Sequence, residues 1–95
     1  MRVRYRSRAL ADLEEIHRFL AQRSSTGARH VLVAIRAAID AIAAHPESSP
    51  RTSDQTIRVK VVGRYSYKIF YSFTEDAIEI VHIRHAARRP WLDDG

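Results

Sequence analysis

Residues 57–85 decide the fold: Ile57-Arg-Val-Lys-Val-Val-Gly-Arg-Tyr-Ser-Tyr-Lys-Ile-Phe-Tyr-Ser-Phe-Thr-Glu-Asp-Ala-Ile-Glu-Ile-Val-His-Ile-Arg-His85. Ile57, Val59 and Val61 alternate with Arg58 and Lys60, the period-two pattern of a strand with one apolar face. Gly63-Arg64 supplies a turn. Tyr65, Tyr67, Ile69, Tyr71 and Phe73 then share one face, with Ser66, Lys68, Phe70 and Ser72 on the other. Thr74-Glu75-Asp76 turns again, and Ile78–Ile83 is apolar apart from Glu79 and His82. Such a run predicts a central strand covered on both sides.

N-terminal to these strands the period changes. Residues 46–56 are polar and turn-rich, which predicts a loop. Before it, Ala28, Val31, Leu32, Ile35, Ile39 and Ile42 fall on one helical stripe, and interspersed alanines favour the helix. Pro46 ends it. Ser24-Ser25-Thr26-Gly27 reads as a four-residue break. Ahead of that break, Leu10, Leu13, Ile16, Phe19 and Leu20 predict a helix over residues 8–23, with Ser7 as its cap and Asp12, Glu14 and Glu15 near its positive end. Val3 and Tyr5, alternating with Arg2, Arg4 and Arg6, predict a first strand.

The order β-α-α-β-β-β predicts an α+β fold. A helical hairpin packs on one face of a small, twisted, mostly antiparallel sheet. The other face is expected to carry Lys68 and Phe70, with Arg58, Lys60 or Arg84, and to be partly open to solvent. The 95 residues are read as one domain, 1–95, with 86–95 as a basic C-terminal tail.

Composition narrows the function. Sixteen Lys and Arg against eleven Asp and Glu give +5. That balance suits nucleic acid or an acidic protein partner. With no cysteine there is no thiolate metal site and no cysteine nucleophile, in keeping with a cytoplasmic protein. No run approaches the ~20 apolar residues of a membrane span, and no signal peptide is expected. The histidines lack helical metal-ligand spacing, and His82 and His85 point to opposite faces of their strand; no metal and no cofactor are expected. Neither a nucleophile elbow nor a Gly-rich phosphate loop occurs. What remains is cationic and aromatic: Arg58, Lys60, Arg64, Lys68, Arg84, His85, Arg88 and Arg89, interleaved with Tyr65, Tyr67, Phe70 and Trp91.

Several motifs, in order, resemble the RelE/ParE superfamily of bacterial toxins from type II toxin–antitoxin systems. They are Ala9-x-x-Asp12-Leu13-x-x-Ile16, the spacing of Ile35, Ile39, Ile42 and Pro46, Tyr67-Lys68-Ile69-Phe70-Tyr71, and Ile78 to Arg88. The resemblance covers nearly the whole chain and implies the same β-α-α-β-β-β fold. It implies one of two activities. RelE-like members are metal-independent, ribosome-dependent mRNA endonucleases; ParE-like members inhibit DNA gyrase.

Carried over by position, Lys68 stands where the nucleases place a phosphate-binding arginine, and Arg58 and Lys60 lie near their basic cluster. The nucleases commonly end with a tyrosine or histidine that acts on the base or the proton. Here no tyrosine follows Tyr71, and His85-Ala86-Ala87-Arg88 looks like the ParE-type turn. The resemblance therefore implies a ParE-like gyrase inhibitor causing growth arrest or plasmid stabilisation, with Arg64, Lys68, Arg84, His85, Arg88, Arg89 and Trp91 facing the target. The alternatives are an mRNA endonuclease using Lys68, Arg84 and His85 on the ribosome, or an inactive member that only binds antitoxin. Each implies a cognate antitoxin in a hetero-oligomer, its acidic segment wrapping an apolar groove beside the helical hairpin.

Overall fold

A computed structural model describes residues 1–87; the expectations for Arg88, Arg89, Trp91 and the rest of the tail lie outside the described residues. The elements are β1 (Arg2–Tyr5), α1 (Ser7–Ala21), α2 (Ser25–Ala44), β2 (Arg58–Val62), β3 (Tyr67–Phe73) and β4 (Ala77–His85). Single 3-10 turns occupy Pro46–Ser48 and Gly63–Tyr65. The α+β order is the one expected from the sequence.

The sheet runs β1-β4-β3-β2. β2–β3 and β3–β4 are antiparallel hairpins, whereas β1 lies parallel to β4 with Val3 opposite Ile78 and Tyr5 opposite Ile80. β4 is thus central, as its apolar run requires. The hairpin α1–α2 covers one face. Ile16, Val31, Ile35, Ile39 and Ile42 from the helices pack there on Tyr67, Ile69, Tyr71, Ile78, Ile80 and Ile83. Burying side chains of this kind contributes roughly 1.5–3 kcal/mol each.

Two helix boundaries differ from expectation. Ser7 is the first helical residue of α1, and the cap is Arg6 in extended conformation, with no side-chain bond. The break between the helices is shorter than four residues. Ser24 caps α2 by accepting a bond from the Gly27 amide at 3.0 Å, so Ser25, Thr26 and Gly27 form its first turn. A serine oxygen satisfying an otherwise orphan amide starts the helix earlier than the apolar stripe does.

The second face of the sheet also departs from expectation. It carries a core of its own, Ile57, Val59, Phe70 and Val81, all buried. His82 and Arg84 are buried above Phe70. Arg58 and Lys60 alternate away from it: Arg58 sits opposite Tyr71 and Lys60 opposite Ile69, both on the helix side. Of the cations expected on this face, Lys68 and Arg84 are the ones it holds.

A bulge shapes β4. Phe70 pairs with His82 but Tyr71 with Ile80, so Val81 is the extra residue. Val81 and His82 consequently both serve the second face, and normal alternation resumes with Ile83. A bulge re-aims a side chain in this way without ending the strand.

Candidate functional site

The bulge coincides with the end of β1. The last β1 contacts to β4 are Tyr5 opposite Ile80 and the Arg6 amide donating to the Ile80 carbonyl at 3.0 Å. Beyond them, among the described residues, β4 continues without a strand on that side. The place is taken by Asp12 of α1. Its Oδ2 accepts the Ile83 amide at 2.9 Å and the His82 Nδ1–H at 2.6 Å. Because an ionised carboxylate only accepts, the His82 proton belongs on Nδ1. The imidazole stacks on Phe70, ring centroids 5.8 Å apart. Burial pushes its pKa below the ordinary histidine value; Asp12 opposes this, while Arg8 and Arg84 reinforce it.

Next along the second face, Lys68 lies directly opposite Arg84. Like charges placed so are costly unless something engages them. Arg84 is buried, donates from Nη1 to the His85 carbonyl at 3.0 Å and lies 5.7 Å from the Phe70 ring centre. Lys68 is half-buried and lines a cavity along β2 with Ser48, Ser49, Pro50, Val59, Lys60 and Val61.

The remaining sequence-derived residues are placed elsewhere. His85 pairs with Tyr67, and the two rings meet edge-on at 5.1 Å. Tyr67 belongs to the helix-side core. The sheet therefore separates His85 from Lys68 and Arg84. Arg64 is exposed on its 3-10 turn, over the Tyr65 ring at 5.8 Å. Arg88, Arg89 and Trp91 lie outside the described residues. Among the described residues no group of three or more His, Asp or Glu could hold a metal ion.

A second surface feature lies on the helices. A groove of about 520 Å³ runs between β1, α1 and α2, lined by Tyr5, Leu10, Leu13, Leu32, Ile35 and Ile39, with Glu14 and Arg36 at its sides. It continues past Leu32 and Arg36 to His17, Ser25, Arg29 and Val33. Leu10 and Val33 are exposed there, 54% and 63% accessible, which is costly for side chains with no polar function. Among the described residues no helix is long and apolar enough to cross a membrane.

Residues 3–90 match the family of ParE toxins of type II toxin–antitoxin systems, parDE. The chain belongs to this family. It is similar to "Toxin RelE2" of Caulobacter vibrioides, 38% identical over 81 residues, covering 85% of this chain and 90% of the relative. It is also similar to "Putative toxin Y4kP" of Sinorhizobium fredii, 32% identical over 85 residues, covering 90% and 88%. A chain of the chromosomal ParDE toxin–antitoxin system from P. aeruginosa shares the fold, with TM-score 0.73 at 15% identity over 90% of this chain and 95% of that one. The protein is thus a type II toxin of the ParE/RelE superfamily.

Asp12 and His82 are what the sequence reading missed as a pair. A signal was present: Ile80-Val81 are consecutive apolar residues in an alternating strand, and His82 is a polar residue in an apolar run. Only the fold brings the second partner, 70 residues away, to the strand edge.

Proposed function

We propose that this toxin acts as a ParE-like inhibitor of DNA gyrase, a protein-binding poison held in check by a cognate antitoxin. The observation carrying this reading is the separation of His85 from Lys68 and Arg84 by the thickness of the sheet. Metal-free RNA cleavage needs a proton-transferring group within reach of the same phosphate that the cations hold. His82 shares the cations' face, but it is buried and bonded to Asp12. A binding surface has no such requirement, since its energy is spread over an interface.

The antitoxin reading is supported by the groove on the hairpin. Its apolar floor suits the apolar side of a partner segment, and Arg29 and Arg36 suit an acidic one. The P. aeruginosa chain of the same fold comes from a toxin–antitoxin system.

A second reading, a ribosome-dependent mRNA endonuclease, is favoured by the adjacency of Lys68 and Arg84 and by the name of the Caulobacter relative, Toxin RelE2. Induction of the chain in bacteria separates the two. Gyrase-linked DNA breaks with unaltered mRNA ends are the expected result; cuts mapped within ribosome-bound mRNA would overturn it.

A further inference from the structure

The segment after α2 returns to the sheet and adds an isolated antiparallel bridge, Arg51 opposite Arg58. The Thr52 amide donates to the Ile57 carbonyl at 2.8 Å and the Val59 amide to the Pro50 carbonyl at 3.0 Å, which fixes this register. Cross-strand partners share a face, so two arginine side chains leave the backbone on the same side, an arrangement that costs stability unless a counter-charge is present. Among the described residues neither forms an ion pair with a carboxylate.

Both line a cavity of about 440 Å³ with Gln55, Thr56, Ser72, Phe73 and Thr74. Among the described residues no acidic side chain lines it. Arg58 is held in place: Nη1 donates to the carbonyls of Ser49 at 2.6 Å and Glu47 at 3.2 Å, and its guanidinium lies 5.6 Å from the Phe73 ring centre. The neighbouring carboxylate, Asp54, is turned to its own loop. Its Oδ1 accepts the Thr56 amide at 2.9 Å and the Thr56 hydroxyl at 2.7 Å. Thr52 completes the turn by donating to the Asp54 carbonyl and accepting its amide. The loop is thereby built, by its own bonds, to present Arg51 beside Arg58 while directing its acid elsewhere.

We infer that the Arg51–Arg58 cavity is a phosphate-binding site, taking a phosphate group between the two arginine side chains, with Thr56 and Thr74 in the cavity wall. Guanidinium groups suit phosphate because they offer paired, planar donors. The shared chemistry is the phosphate group itself, whether free, as a nucleotide, or in a nucleic-acid backbone. This site is on the helix side of the sheet, away from Lys68 and Arg84, and it stands independently of the gyrase reading.

The test is a titration of the folded full chain with inorganic phosphate, at constant ionic strength in chloride, followed by amide NMR. Saturable shifts at residues 51, 56, 58, 72 and 74 are expected. Arg51→Ala, at an exposed position, should weaken the midpoint about 10-fold, the worth of one charged bidentate contact. Arg64→Ala removes the same charge elsewhere and should leave it unchanged. Parallel titrations with adenosine monophosphate and a short single-stranded oligonucleotide distinguish the source of the phosphate. Non-saturating shifts spread over the surface, or equal weakening by Arg51→Ala and Arg64→Ala, would overturn the site.

Discussion

Asp12 on α1 holds His82 on β4 by a 2.6 Å hydrogen bond and, through the same oxygen, caps the Ile83 amide at 2.9 Å. One carboxylate thus does for the upper half of β4 what β1 does for the lower half. It also ties the first helix to the strand that carries Arg84. Asp12→Ala should therefore leave a buried amide and a buried imidazole without this partner, costing about 2–4 kcal/mol. Urea denaturation of the variant measures it. Asp12→Asn, whose amide oxygen can accept both bonds but carries no charge, should cost less than Asp12→Ala.

The same contact predicts a pH dependence. Burial depresses the His82 pKa in the folded state, so below the ordinary value of 6.5 the unfolded chain binds the proton first. The contribution is complete above that pH and is lost as pH falls toward the folded pKa. Stability measured from pH 7.5 down to 5 should decline, and His82→Gln should flatten that decline.

Ser66 has φ of 58°, the left-handed region that a side chain adopts at a cost. It sits between the 3-10 turn and β3, and its carbonyl accepts the Ala86 amide at 2.6 Å. Ser66→Gly keeps that backbone bond and removes the strain, and should raise stability by about 0.5–1 kcal/mol. Thermal unfolding monitored by circular dichroism reads the change.

On the helical groove, Leu10 is more than half exposed and contributes little to the core. Leu10→Asp should leave the unfolding midpoint nearly unchanged while weakening antitoxin capture about 10-fold or more, the loss of a central apolar anchor. Isothermal titration with the cognate antitoxin reads the second effect. Unchanged affinity would place the antitoxin elsewhere.

The elements were legible in the sequence because their periods are clean: the Val31–Ile42 stripe, the Tyr67–Phe73 alternation and the apolar run of β4. The helix starts were less so: Ser24 caps α2 through its side chain ahead of the apolar stripe, while Arg6 caps α1 in extended conformation with no side-chain bond to mark it. The candidate site was legible only in part. Lys68 and Arg84 do fall side by side, but their faces depend on strand register, and His85 alternates to the other side. Asp12 looks like an ordinary acid near a helix start, and its partner is set by where β1 stops and where β4 bulges.

The central claim, that this ParE-family chain inhibits gyrase, is tested most directly by adding the purified, antitoxin-free protein to a gyrase supercoiling reaction on relaxed plasmid. The account predicts that supercoiling is lost and linear DNA accumulates as a trapped cleavage product, with Lys68→Ala weakening the effect rather than abolishing it. Normal supercoiling at a large excess of folded protein would contradict it.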